Sequence, residues 1–178
     1  MKVIISEYSH AWPEMFERER NSLDTIMGAG AGFIEHIGST SVSGLAAKPV
    51  IDIMIGLRDF SVADKLVPGI VSLGYEYVPK YEDEMPYRRF FKKYAGGTAT
   101  HQIHMVQAGG EFWQRHLLFR DYLRANPDMA ASYAVLKREL AKLDWDDVND
   151  YADAKSAFIR NIEDQAREGR NRSSVGSP

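Results

Sequence analysis

The run from Pro49 to Leu57, "PVIDIMIGL", constrains the fold more than any other stretch. It is β-branched and apolar at successive positions, the pattern of a strand covered on both faces. Such a strand belongs in the middle of a sheet, with other layers on each side. One carboxylate interrupts it. Strand side chains alternate, so Asp52 points with Val50 and Met54 and away from Ile51 and Ile53. A carboxylate among buried apolar neighbours must be paired, bound to a metal or open to a polar cleft. Two readings stand. Asp52 caps the nearby loop by accepting backbone N–H bonds, or it serves a site.

The pattern around this strand is mixed. "KVIIS" (2–6) reads as a short strand. Residues 13–27 read as a helix, with Pro13 at its start and Phe16, Leu23, Ile26 and Met27 on one face. "GAGAG" (28–32) stops it and leads to the strand "FIEHIG". Residues 60–73 read as a helix that Pro68 shortens or weakens. "YEYVP" reads as a short strand. "PYRRFFKKYAGGTATHQIHMVQ" reads as two strands joined at Gly96-Gly97, a hairpin signal. After Gly109-Gly110 only helices follow: one to Asn126, one from Pro127, and a third from "DDVNDY" to "QARE". The expected architecture is α/β (α+β), a mixed sheet flanked by helices. It forms one domain over 1–168, with an α/β part to about 108, a helical part over 109–168 and a flexible tail over 169–178.

Composition removes several function classes. The 178 residues include no Cys, so disulfides, thiolate zinc sites and a Cys nucleophile are excluded. A formal net charge of −3 argues against nucleic-acid binding through a large basic face and leaves room for a local basic pocket. No apolar run is long enough to span a bilayer, so no membrane is expected. No signal peptide is read at the N-terminus, and the cytoplasm is the expected location. No motif specifies an oligomeric state.

The residues next to Asp52 suggest a pocket. Gly38 lets backbone amides approach an anion closely, and hydroxyls of Ser39 and Thr40 lie alongside. Lys48 adds a positive charge just before the strand. Together with Asp52 these make a phosphate-and-metal pocket, although Ser/Thr/Gly clusters are commonly plain loops. Glu35 and His36 face opposite sides of their strand, so one of them points to the cleft. Arg88 and Arg89 head the one dense basic cluster, where either can reach a phosphate or a ribose, or the run is a solvated strand face. Tyr133 with Lys137 and Tyr151 with Lys155 are i,i+4 pairs on helix faces. Lys155 is flanked by apolar residues, so its amine is directed to a pocket or snorkels across a packing surface.

Several segments, in order, resemble one family: "EHIGST", "GLAAKP", "IDI", "RRFFKK", "THQIHMV" and "FRDYLRANPD". The chain is similar to the GrpB family, whose domain is nucleotidyltransferase-like and also occurs fused to dephospho-coenzyme A kinase. The resemblance implies a nucleotidyltransferase-type sheet followed by helices, a nucleotide or other small phosphorylated ligand, and transfer of a nucleotidyl or phosphoryl group. In that fold a Gly-Ser pair holds the triphosphate, and a strand carrying two acids holds two Mg²⁺ ions. Ile37-Gly38-Ser39 matches the first part and Asp52 the first acid. Met54 stands at the second, and a thioether does not hold Mg²⁺. Ser43 replaces a Pro of the family's loop. In that fold a neighbouring strand brings a third acid. Here alternation puts Gln102 and His104 on the Asp52 side and His101 on the other. The expectation is that Asp52 and His104 hold a divalent metal, Mg or Mn, or move a proton. In the other reading His104 is a half-buried strand histidine. Two functions remain open at this stage. The chain is a transferase with an incomplete acidic site, or a degenerate domain that senses a ligand or binds a partner.

Overall fold

The apolar run around Asp52 forms β2 (Ile51–Leu57), the second strand of a five-stranded mixed sheet. The structure is a computed structural model that describes residues 2–28 and 32–175. In chain order the other elements are α1 (Ala11–Met27), β1 (Gly32–Ile37), α2 (Ala63–Ser72), β3 (Glu76–Tyr77), β4 (Arg88–Ala95), β5 (Thr98–Gln107), α3 (Glu111–Ala125), α4 (Pro127–Ala141), α5 (Val148–Ala154) and α6 (Ser156–Val175). The sheet order is β1-β2-β5-β4-β3. Only β2 and β5 run parallel; the other neighbours are antiparallel. No described helix is long and apolar enough to cross a membrane.

Alternation along β2 divides the molecule. Ile51, Ile53, Ile55 and Leu57 join Ile103, Met105 and Phe91 in a core closed by Trp12, Phe16 and Leu23 of α1 and Ile70 of α2. These aliphatics are fully buried, and their removal from water is the main stabilisation of the sheet. The opposite face carries Asp52 and Met54. There Met54, Ile37 and Val106 pack beneath Phe112, Trp113 and Leu117 of α3. A third cluster joins Val42, Leu45 and Ala46 of the β1–β2 loop to Leu123, Tyr133 and Ile162 of the helical part. The loop next to Asp52 is therefore clamped from above by helices that lie far along the chain.

Gly96 and Gly97 turn the β4–β5 hairpin with φ of 56° and 79°. Two successive positive φ values suit the twist of the strands and favour glycine. Pro68 lies inside α2, on its exposed side, where a carbonyl that loses its N–H partner is open to solvent rather than sealed in the core.

Four expectations need correction or adjustment. Residues 2–6 form no strand; their one ladder contact is the bridge between Ser6 and Ala47. An extended β-branched segment pairs with whatever edge lies beside it, and here that is the loop before β2. The "YEYVP" strand shrinks to the two residues of β3. The last helix is two, α5 and α6, with a turn at Lys155 whose N–H donates to the Ala152 carbonyl. α6 continues through Gly169 to Val175, across most of the segment read as a tail; residues 176–178 lie outside the described residues. So do residues 29–31 of the glycine-rich stop after α1.

Candidate functional site

Strand register assembles the floor of a cleft. Asp52 lies beside Ile37 of β1 and Gln102 of β5, and Met54 lies beside His104. Beyond Ile37 the chain turns over Asp52 at Gly38, which has φ of 69°. A Cβ on Gly38 would sit 2.4 Å from Asp52 Oδ2. Only glycine allows both the positive φ and this approach. The short 3₁₀ turn Ser39–Ser41 follows. It is pinned by the Ser41 hydroxyl, which donates to the Gly38 carbonyl at 2.6 Å, and by Arg124, which donates to the Ser41 carbonyl at 2.8 Å.

Above this floor lies a cavity of about 820 Å³. Gly38, Ser39, Asp52 and His104 line it from the sheet side. Arg115 and His116 of α3, Tyr133 of α4, Lys155 at the α5–α6 turn, and Arg160 and Glu163 of α6 line it from the helical side. The cavity is large enough for a nucleotide-sized ligand.

Its two ends differ electrically. At the first, burial raises the Asp52 carboxyl to about 7 against the pull of Lys155 and Lys48. Burial lowers the Lys155 amine to about 8, opposed by Asp52 and reinforced by Lys48. Lys137 is 2% exposed, and burial, with Lys155 and Arg138 nearby, lowers its amine to about 7. Lys137 Nζ donates to the Ala46 carbonyl and lies 4.6 Å from the centre of the Tyr133 ring. Lys155 Nζ lies 4.2 Å over the Tyr151 ring. Two lysines, Lys155 and Lys48, thus act on one carboxylate, and Lys137 adds a third positive charge beside Lys155. Tyr133 is buried near Ser39, and burial pushes its hydroxyl pKa up.

At the second end His104 faces His116, with ring centroids 6.3 Å apart. Arg88 Nη1 lies 3.4 Å from His104 Nδ1. His116 Nδ1 lies 2.7 Å from the Phe112 carbonyl. Burial lowers both imidazoles, reinforced by Arg88 at each, while the Phe112 carbonyl and Glu163 oppose it at His116. Arg115 closes the wall through an ion pair to Glu163 at 3.1 Å.

The sequence candidates fall into three groups. Gly38, Ser39, Asp52, His104 and Lys155 share the cavity. Lys48, half-buried, acts on Asp52 and Lys155 through its charge, and Gln102 stands beside Asp52 on the same face. Arg88 lies behind His104, buried among the rings of Phe90, Tyr81 and Phe112. The others point elsewhere. Thr40 is 1% exposed and its hydroxyl donates to the Val50 carbonyl, so it has no proton to offer a phosphate. His36 bonds to that same hydroxyl and stacks on Phe16, on the far face of the sheet. Glu35 is on the cavity face, but its carboxylate is held by Arg120 at 2.6 Å. Arg89 projects to the other face, where Asp64 binds it at 2.6 Å. Each of these four has a strong partner inside the fold, and that partner decides its direction.

Asp52 and His104 share the cavity without touching: among the described residues no hydrogen bond or ion pair joins them. Nor do the described residues contain a group of three His, Asp or Glu side chains placed to hold a metal ion. The donor set at Asp52 is one carboxylate facing a lysine, with the buried Met54 at the next inward position. It does not fit the two Mg²⁺ ions of the nucleotidyltransferase pattern, which need several hard oxygens. The cavity residues that no sequence signal singled out are His116, Arg115 and Glu163, and Tyr133 was noted without a role in the site. All lie on helices, and the one local signal was Tyr133 with Lys137 on a shared face.

A family model described as "GrpB protein" matches residues 2–165. The UPF0157 protein YqkA of Bacillus subtilis is 40% identical over 173 residues, 96% of this chain; the chain spans half of that protein's length. The crystal structure of the conserved protein GrpB from Enterococcus faecalis superimposes with a TM-score of 0.82 at 38% identity, covering 94% of this chain and 99% of that one. A cytoplasmic RNA terminal U-transferase aligns over 77% of this chain and 43% of its own, with a TM-score of 0.49 and 18% identity, too distant a likeness to reason from.

Proposed function

The chain belongs to the GrpB family, and from the chemistry of its cavity we propose that it binds a small phosphorylated ligand of nucleotide size without a divalent metal. The observation that carries this reading is the pair of lysines, Lys155 and Lys48, that act on the single carboxylate Asp52, with Lys137 buried behind Lys155. Buried cations are kept only where something compensates them. One half-buried acid whose own ionisation is opposed by burial leaves that end of the cavity short of negative charge. A phosphate group supplies it. Lys155 and the Ser39 hydroxyl bind the phosphoryl oxygens, Lys48 and Lys137 add field, and Arg115 and Arg160 steer the anion in from the rim. Ammonium groups then do the neutralising that metal ions do in a transferase.

Transfer of a nucleotidyl or phosphoryl group is the second reading, favoured by Gly38-Ser39 beside Asp52 at the sheet. The two differ in metal dependence. Calorimetric titrations with ATP, inorganic triphosphate and dephospho-coenzyme A, in EDTA and then with Mg²⁺ or Mn²⁺, separate them. The proposal expects binding in EDTA that weakens at least tenfold in Lys155→Met. Binding that requires metal and is abolished in Asp52→Ala would instead establish the transferase reading. Silence from every phosphate compound would remove both.

A further inference from the structure

Two imidazoles in the cavity wall have their tautomers set by neighbours with one-way hydrogen bonding. The Arg88 guanidinium beside His104 Nδ1 can only donate. That nitrogen is therefore the acceptor, and the His104 proton lies on Nε2. The Phe112 carbonyl beside His116 Nδ1 can only accept. That nitrogen carries the proton, and His116 Nε2 keeps its lone pair. Burial is the largest cause that lowers both imidazoles and so favours their neutral forms, with Arg88 acting on both and Arg115 on His116, where the Phe112 carbonyl and Glu163 oppose it.

Neither Nε2 has a partner among the described residues. Neither is sealed from solvent, because the buried unpaired side-chain nitrogens and oxygens found are His101 Nε2 and the Tyr151 hydroxyl. Both histidines line the cavity, which is the space next to both rings that a partner for these nitrogens can occupy. The rings are inclined at 30° with centroids 6.3 Å apart. An oxygen that makes hydrogen bonds of about 2.8 Å to each side at a roughly tetrahedral angle bridges nitrogens about 4.6 Å apart. The chemical requirement is a group that accepts from His104 and donates to His116. A hydroxyl does both. A carboxylate or a phosphate oxygen satisfies His104 alone, and an ammonium satisfies His116 alone. Phe112 stacked on His116 at 3.9 Å and Phe90 at 5.0 Å from His104 keep the rings in place.

We infer that His104 and His116 form a hydroxyl subsite, and that the ligand of this cavity is a phosphate ester bearing a free sugar hydroxyl. The inference rests on the anion-binding reading above and names the ligand class more closely. A nucleotide and a small sugar phosphate share this chemistry.

Isothermal titration in EDTA with ATP, 2′,3′-dideoxy-ATP, ribose 5-phosphate, 2-deoxyribose 5-phosphate and inorganic triphosphate tests it. For wild type, loss of the hydroxyl is expected to weaken binding about tenfold in at least one of the two pairs. Discrimination in the ATP pair assigns the hydroxyl to a nucleotide; discrimination in the ribose pair alone assigns it to a small sugar phosphate. In His116→Leu the difference should fall below about twofold while inorganic triphosphate binds as before, which also certifies the variant's fold. His116→Gln, whose amide can both donate and accept, should keep part of the discrimination. Equal affinities within both pairs, or discrimination that persists in His116→Leu, overturn the subsite; continued binding of inorganic triphosphate would then leave the anion site intact. No binding of any phosphate compound overturns both.

Discussion

Asp52 carries the tension of the site. Its carboxyl titrates near 7 in the folded protein against 3.8 as the unperturbed value. Below pH 4 it is protonated in both folded and unfolded chains and contributes no difference. Between 4 and 7 the folded chain holds the extra proton, so stability falls as pH rises, and above 7 the full penalty is present. Asp52→Asn keeps the shape and removes the charge. It is expected to be more stable than wild type at pH 8 by roughly 1–3 kcal/mol, with the gain absent at pH 4. Urea unfolding at the two pH values measures this, and a variant weaker than wild type at pH 8 contradicts the reading of Asp52 as a strained acid. Gly38 is the structural partner of this residue. Gly38→Ala strains a φ of 69° and drives a methyl group into Asp52 Oδ2, for a loss of about 2–3 kcal/mol. In an Asp52→Ala background only the backbone strain should remain, near 1 kcal/mol. Losses equal in the two backgrounds would show that the contact is not the cause.

Among the elements, α3 decides how the helical part meets the sheet. Trp113 lies against Gly56 of β2, where a Cβ would sit 2.4 Å from the indole ring. Gly56→Ala must push α3 away from the strand. A loss of about 1–3 kcal/mol is expected, together with weaker binding of any cavity ligand, because His116 and Arg115 ride on the same helix. Thermal melts and ligand titration of this variant test the link; normal affinity in a destabilised protein would uncouple the two. This junction also marks where the sequence stops being informative. The strand around Asp52, the hairpin at Gly96-Gly97 and the shared face of Asp52, Gln102 and His104 follow from a period of two and can be read directly. The helices were visible as helices. Which of their faces would close the cavity was not, because His116 and Arg115 acquire their positions only when Trp113 docks on Gly56. For the same reason Thr40, Glu35 and Arg89 looked available: their partners, Val50, Arg120 and Asp64, lie from 10 to 85 residues away. The turn at Lys155 escaped because neither Gly nor Pro marks it.

At the scale of the whole molecule, the cavity joins two structural layers and stores their charge imbalance. Lys155 and Lys137 titrate near 8 and 7 in the folded chain, below the 10.5 of a free lysine. Each therefore loses its proton earlier in the folded state than in the unfolded one. Their joint effect is stability that increases with pH between about 7 and 10.5, opposite in sign to the effect of Asp52 between 4 and 7. A bound polyphosphate reverses the situation, since its negative charge favours the ammonium forms and disfavours the Asp52 carboxylate. All three groups then take up protons. Binding at pH 8 is expected to draw up to about one or two protons from solution, with uptake fading below pH 5, where all three are already protonated. Calorimetry in buffers of different ionisation enthalpy reads this number as the slope of observed heat against buffer heat. Lys155→Met should flatten the slope at pH 8, and high salt should weaken affinity while leaving the sign of the slope unchanged. Proton release on binding would mean that the ligand's charge goes somewhere other than the lysines around Asp52, and the anion site would have to be sought elsewhere in the fold.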